Sequence, residues 1–396
     1  MWPLYGTIYW PYVGISGRNS AVDAPIFTRI KMRFNQTCLE SFGYTLPDEC
    51  VSTAALEDQL RPIYERLRLP EGRLELITGV RERRFWPVGT LPSQISIQSA
   101  EQAIAAADFD RSQLGCLIHA SVCRDHLEPA TACAVHHGLG LSPDCQIFDL
   151  SNACLGLLNG VVLIGTMIEA GMIRAGLVVG TESSRQLVET TVATLNADTS
   201  LTRKQIKAAI ASLTIGSGSC AILVCDQELS KSGNRILGGA VRAHTQYHQL
   251  CQSGSDEAGA GMTPLMQTDA ETLMNEGCRI GAANFETFLR QLDWSRDSID
   301  RTICHQVGPT HSKAMFEALK LNHDRDFTTV EWLGNTGSVA LPITMAVAAE
   351  QGHLGTNENV AMLGIGSGIN CVMLGCDWQR SIVGTETPST ELQTAK

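Results

Sequence analysis

From about Phe34 to Asp377 short apolar runs alternate with longer amphipathic ones. Leu114–His119, Gln146–Leu150, Ala175–Gly180 and Thr302–His305 read as buried strands. Thr53–Leu67, Ser96–Ala107, Thr310–Leu319 and Leu341–Gln351 carry apolar positions at helical spacing. This alternation predicts an α/β protein with parallel-rich sheets. Leu155 to Ile173 is the greasiest stretch, but Asn159 and Glu169 interrupt it, so it reads as a buried helix rather than a membrane span. Thr202 followed by Gln205 predicts a capping box opening a helix through Ser212. Beyond Trp378 the chain is Thr/Ser-rich and predicted to fray.

The pattern also repeats. Gly216-Ser-Gly-Ser-Cys-Ala-Ile-Leu-Val-Cys-Asp226 resembles Gly366-Ser-Gly-Ile-Asn-Cys-Val-Met-Leu-Gly-Cys-Asp377, each a glycine turn followed by a buried strand. The strand ending at His119 pairs with the one ending at His305, 186 residues on, and Leu150-Ser-Asn152 pairs with Leu333-Gly-Asn335, 183 residues on. The glycine turns lie only 150 apart, which implies extra residues in the first half, near 184–212. The expected organisation is an N-terminal extension (1–33), two similar halves (34–235 and 236–378) and a flexible tail (379–396).

Composition narrows the function classes. With 44% hydrophobic and 18% charged residues in 396, the chain can bury a large core. A formal charge of −11 without a long basic run argues against nucleic-acid or anionic-membrane partners. The aromatic, Pro-interrupted start (Trp2, Pro3, Trp10, Pro11) is no signal peptide. Fourteen cysteines lack CxxC or Cys/His ligand spacing, so neither a zinc site nor a disulfide framework is expected. A soluble, cytoplasmic protein without a metal follows from these readings.

Three turns could carry chemistry. Phe148-Asp-Leu-Ser-Asn-Ala-Cys154-Leu-Gly is a strand, a sharp turn and the start of an apolar helix, where free amides and the helix dipole would lower a cysteine pKa. His305 ends a buried strand just before a loop. Asn335, in Trp332-Leu-Gly-Asn-Thr-Gly, sits at what reads as another strand-to-helix turn. The repeat brings the three towards one centre.

Together with the closing Gly364-Ile-Gly-Ser-Gly loop, these motifs resemble the ketoacyl-ACP synthase III branch of the thiolase superfamily over residues 34–378. Ser121-Val-Cys-Arg-Asp-His-Leu-Glu128-Pro129-Ala-Thr and Leu363-Gly-Ile-Gly-Ser-Gly-Ile-Asn-Cys are most similar to the OleA-type acyl-CoA condensing enzymes of olefin biosynthesis. The resemblance implies a thiolase fold, five layers αβαβα in two pseudo-symmetric halves, and a homodimer. It implies Cys154 as the acyl-accepting nucleophile, with its own amide and the Gly366–Ser367 loop as the oxyanion hole. His305 and Asn335 would hold the enolate of a second thioester. Glu128, offered to the neighbouring subunit, would be the base that a condensation without CO₂ loss requires. No cofactor beyond coenzyme A thioesters is implied. Arg81, Arg83 and Arg84 fall where the family admits CoA and could meet its phosphates. The alternatives are an ordinary synthase III that extends acyl-CoA with malonyl-ACP, the partner then being acyl carrier protein, and an acyl-binding or thioesterase-like relative.

Overall fold

A computed structural model describes residues 31–252 and 267–384. Its main sheet runs Arg301–Cys304, Glu358–Gly366, Asn370–Trp378, Asn234–Ala243, Thr37–Thr45, Gly218–Asp226, Ala175–Glu182, Leu114–Ala120, Gln146–Leu150 from edge to edge. Two equal patterns meet at the contact of Cys38 and Leu39 with Arg235 and Asn234. In each half the second strand pairs in parallel with the third and fourth, and the fourth and fifth form an antiparallel pair. The fifth then pairs antiparallel with the first. In the second half the third strand has shrunk to one bridge, Thr302 to Asp326. The sheet is therefore mixed, and not parallel-rich as the sequence alternation suggests. The cause is that the fourth and fifth strands of each half, and the fifth and first, run antiparallel rather than joining through parallel crossovers.

Apolar faces set the layers. The helices Gly156–Glu169 and Ala340–Glu350 share one core with strand residues from both halves, including Ile118, Val178, Ile303 and Met362. A helix apolar all round belongs between two sheets. The outer face of the first half is covered by Pro92–Ala106 and Thr131–Leu139, and that of the second by Ala270–Leu292 and Pro309–Leu319. The result is helix, sheet, helix, sheet, helix.

Glu169, one of the two interruptions of the greasy stretch, ends its helix and accepts the amides of Asn35, Gln36 and Thr37 at 2.8, 2.7 and 3.1 Å. The Thr202–Gln205 capping box is present, opening a helix Arg203–Ala209 that tightens to a 3₁₀ turn, Ile210–Thr214. The helix expected over Thr53–Leu67 is broken in two at Leu60, because Pro62 supplies no amide to continue it. At the start, Met32–Arg33 already pairs with Gly238–Gly239, inside the segment expected to be an extension, whose residues 1–30 lie outside the described ones. The tail does not fray at Trp378 either. Val383–Gly384 lies parallel to Phe42–Gly43, with Phe42 N–H donating to Ile382 O at 3.0 Å, and residues 385–396 lie outside the described chain. Among the described residues no helix is long and apolar enough to cross a membrane.

Candidate active site

The turn that carries Cys154 is built from asparagines to which the sequence reading gave no role in holding it. Ala153 takes φ +45°, so the chain reverses sharply, and Cys154 sits one residue before Leu155, which caps the buried helix Gly156–Glu169. Asn152 Nδ2 donates to Asn159 Oδ1 at 2.7 Å, which locks the turn onto the helix. Asn152 Oδ1 accepts from Asn370 Nδ2 at 3.4 Å, and Asn370 opens the fifth strand of the second half. A polar chain thus ties the cysteine turn to the Gly366–Asn370 hairpin.

That hairpin lies over the sulfur. A side chain at Gly366 would come within 3.7 Å of Cys154 Cβ, and the Ser367 amide donates to the Cys154 thiol. Burial pushes this thiol up to about 12, with the charges of Glu182 and Cys251 adding to the rise and the amides of Ser367 and Cys154 opposing it. The lowered pKa expected from a helix start is thus overturned: loss of water outweighs the amide donors.

His305 follows the strand Arg301–Cys304 directly, held by its amide to Leu363 O at 3.0 Å. Among the described residues its buried Nδ1 has no partner, and burial, then His311, lowers its pKa to about 4. The ring is neutral at pH 7 and carries one N–H. Gln306 next to it anchors the following loops, accepting the amides of Thr329 and Val330 at 2.8 and 2.9 Å.

Asn335 lies in a turn after the short helix Val330–Leu333, so a helix, not the expected strand, precedes it. Gly334 (φ +67°) and Gly216 bracket it. A Cβ at either would lie within 2.4 Å of a backbone oxygen, so only glycine fits. Asn335 N–H donates to Thr214 O at 2.9 Å and its carbonyl accepts from Gly216 at 3.0 Å. Its Oδ1 accepts from Gly337 N–H at 3.0 Å, which leaves the Nδ2 group to donate.

Glu128 stands exposed in the loop between Ala120 and Thr131, with the Glu128–Pro129 bond cis. Val122 (51% exposed) and Leu127 (56%) are uncovered on the same loop. The strand Gln146–Leu150 at the sheet edge is half-exposed rather than buried.

The sequence is 41% identical over 351 residues to the acyl-CoA:acyl-CoA alkyltransferase of Shewanella oneidensis, over 88% of this chain and 100% of that protein. The chain belongs to the OleA-type acyl-CoA:acyl-CoA alkyltransferases, in the ketoacyl-ACP synthase III branch of the thiolase fold. A cerulenin-bound crystal structure of Xanthomonas campestris OleA matches with a TM-score of 0.83 at 30% identity, over 88% of this chain and 98% of that one. The 3-oxoacyl-(acyl carrier protein) synthase III, FabH, of Xanthomonas oryzae matches at 0.82 with 29% identity, over 88% and 100%. Residues 289–378 match the model of the 3-oxoacyl-[acyl-carrier-protein (ACP)] synthase III C terminal. An OleA-type chain is an acyltransferase, and the remaining expected residues can be placed against that chemistry.

The Thr78–Arg84 segment lies beside the histidine loop: a Cβ on Gly79 would meet Pro309 at 2.5 Å. Arg81 is exposed and pairs with Glu331 at 3.3 Å, and Arg84 donates to Pro47 O at 2.9 Å. Arg83 cannot meet a phosphate. Strand alternation over Glu82–Phe85 turns it inward, where it is fully buried and donates to Thr53 Oγ1 and Leu213 O at 2.9 and 3.1 Å. Burial lowers its pKa to about 10. Sequence reasoning also missed Glu182. An acidic residue closing the apolar run Ala175–Thr181 was the available signal.

Proposed function

We propose that this OleA-type enzyme condenses two fatty acyl-CoAs head to head without loss of CO₂. Cys154 Sγ attacks the carbonyl of the first acyl-CoA, the C–S bond to CoA breaks, and the thiol proton leaves with the CoA thiolate. Amides of Cys154 and Ser367 receive the oxyanion. Glu128 of a second copy removes the α-proton of the second acyl-CoA. The enolate oxygen is held by the His305 N–H and Asn335 Nδ2. The enolate carbon attacks the acyl-Cys154 carbonyl, and the cysteine leaves and is reprotonated. The product is a 2-alkyl-3-ketoacyl-CoA.

Glu128 carries this reading. A malonyl thioester makes its own carbanion by losing CO₂, whereas a plain acyl-CoA needs a base, and a carboxylate is present in the loop that would supply it. Its exposure beside the uncovered Val122 and Leu127, near a half-exposed sheet edge, fits a loop that completes the site of a neighbouring copy in a homodimer. Coenzyme A enters as substrate, and Arg81 and Arg84, on the segment beside the histidine loop, are the candidates to meet its phosphates.

The test is a product assay with myristoyl-CoA alone and with malonyl-ACP added. The symmetrical long-chain ketone, formed after hydrolysis and CO₂ loss, is expected from acyl-CoA alone and absent with Glu128→Ala. Product only with malonyl-ACP, unaffected by that substitution, would instead establish a chain-extending synthase III. Free myristate alone would establish a thioesterase.

A further inference from the structure

Glu182 is a buried carboxylate, 6% exposed, that the proposed chemistry does not use. Its Oε1 accepts from Val122 N–H at 3.0 Å, Ser338 N–H at 3.3 Å and the Ser338 hydroxyl at 2.5 Å, and its Oε2 from Cys123 N–H at 3.3 Å. These donors come from two loops far apart in sequence. Val122 and Cys123 open the loop that runs to Glu128. Ser338 follows Gly337, whose amide fixes Asn335 Oδ1 and whose Cα packs against the Glu182 side chain, a Cβ there lying 3.2 Å from Glu182 Cγ. The Trp86 indole donates to Glu182 O at 3.0 Å and anchors the backbone beneath.

A buried carboxylate is costly unless its oxygens are met by donors. Here all four donors are supplied by the two loops, so neither loop can leave without stranding the charge. We propose that Glu182 is a positioning residue that staples the turn carrying Asn335 to the loop carrying Glu128. The inference rests on the function proposed above for those two residues. Because the loop would serve the neighbouring copy, the staple ties the enolate holder of one site to the base of the other.

Glu182→Gln keeps the size but turns an amide donor against the Cys123 N–H or strands the Oε1 donors, so one end of the staple is lost. Ser338→Ala removes a single donor from the Asn335 side and keeps the charge. In both variants condensation of myristoyl-CoA is expected to fall, about ten- to a hundredfold for Glu182→Gln and less for Ser338→Ala. Formation of acyl-Cys154, followed by intact mass, is expected to hold. Hydrogen exchange at residues 124–128 and 335–339 is expected to rise together in Glu182→Gln. Wild-type condensation in both variants, an equal loss of acylation and condensation, or loosening of only one loop would overturn the proposal. A wild-type protein that makes no product from acyl-CoA alone would defeat the condensation reading, and the exchange data would still decide whether Glu182 joins the loops.

Discussion

His119 and His305 occupy equivalent ends of the second strand in the two halves, yet they differ in exposure and in the groups that neighbour the ring. His119 is 1% exposed and lies 4.0 Å from Asp149, whose carboxylate accepts the first amides of the helix Thr131–Leu139, at Thr131 and Ala132. His305 is half-buried and has a second imidazole, His311, as its neighbour, while among the described residues each ring keeps one unpartnered nitrogen, Nε2 of His119 and Nδ1 of His305. The connections between fourth and fifth strands differ as much. The first half spends residues 183–217 on two helices that build a separate apolar cluster with Leu56, Ile63 and Phe85. The second closes from Gly366 to Asn370 in a tight turn, with Gly368 and Ile369 at positive φ, and so brings the Ser367 amide to Cys154. The duplicated fold fixes where residues stand; the partners around each decide which position is sealed and which is open for work.

Substitutions can break or sharpen this contrast. The largest effect is expected for Cys154→Ala, which should abolish the acyl-enzyme and lower condensation about a thousandfold or more, measured by intact mass and product assay. Shortening a buried contact of the central helix, as in Ile164→Ala, should cost about 2–5 kcal/mol of stability by denaturant unfolding. His119→Gln should lower stability by about 1 kcal/mol and leave condensation within about threefold of wild type. A loss as large as that from removing His305 would erase the distinction between the two rings.

The smallest effects concern pH. A folded His305 near 4 against an unfolded value of 6.5 means the unfolded chain binds more protons between these values. Stability from this site therefore rises with pH through that window and is reduced at its acid end. His305→Gln should flatten that part of the Tm–pH profile. The Cys154 thiol, held near 12, should react with iodoacetamide faster with each step from pH 7 to 10 and show no plateau. A plateau below pH 8 would mean that the helix-start amides prevail over burial.

The repeat was legible because the His and Asn positions recur at nearly constant separation while the Gly-turn strands recur at a shorter one, and from it came the expectation of two halves and of three turns near one centre. What surrounds them was not legible. Asn152, Asn159 and Asn370 look like ordinary turn and helix residues until the fold brings residues 218 apart within hydrogen-bond reach. Glu182 is one acidic letter at a strand end. The thiol pKa was misread because a helix start is local, whereas burial depends on the Gly366–Asn370 hairpin contributed by the other half. Arg83 was misread because its inward direction depends on strand pairing with Glu49–Ser52.

The most direct test separates the work of the two halves. His305→Ala and Asn335→Ala are incubated with myristoyl-CoA, and acyl-Cys154 and the symmetrical ketone are measured on the same samples. Cys154 should still be acylated in both variants while ketone falls about a hundredfold or more, since only the enolate loses its donors. Failure of acylation in step with ketone formation, or ketone at the wild-type rate, would contradict a nucleophile in one half and an enolate site in the other.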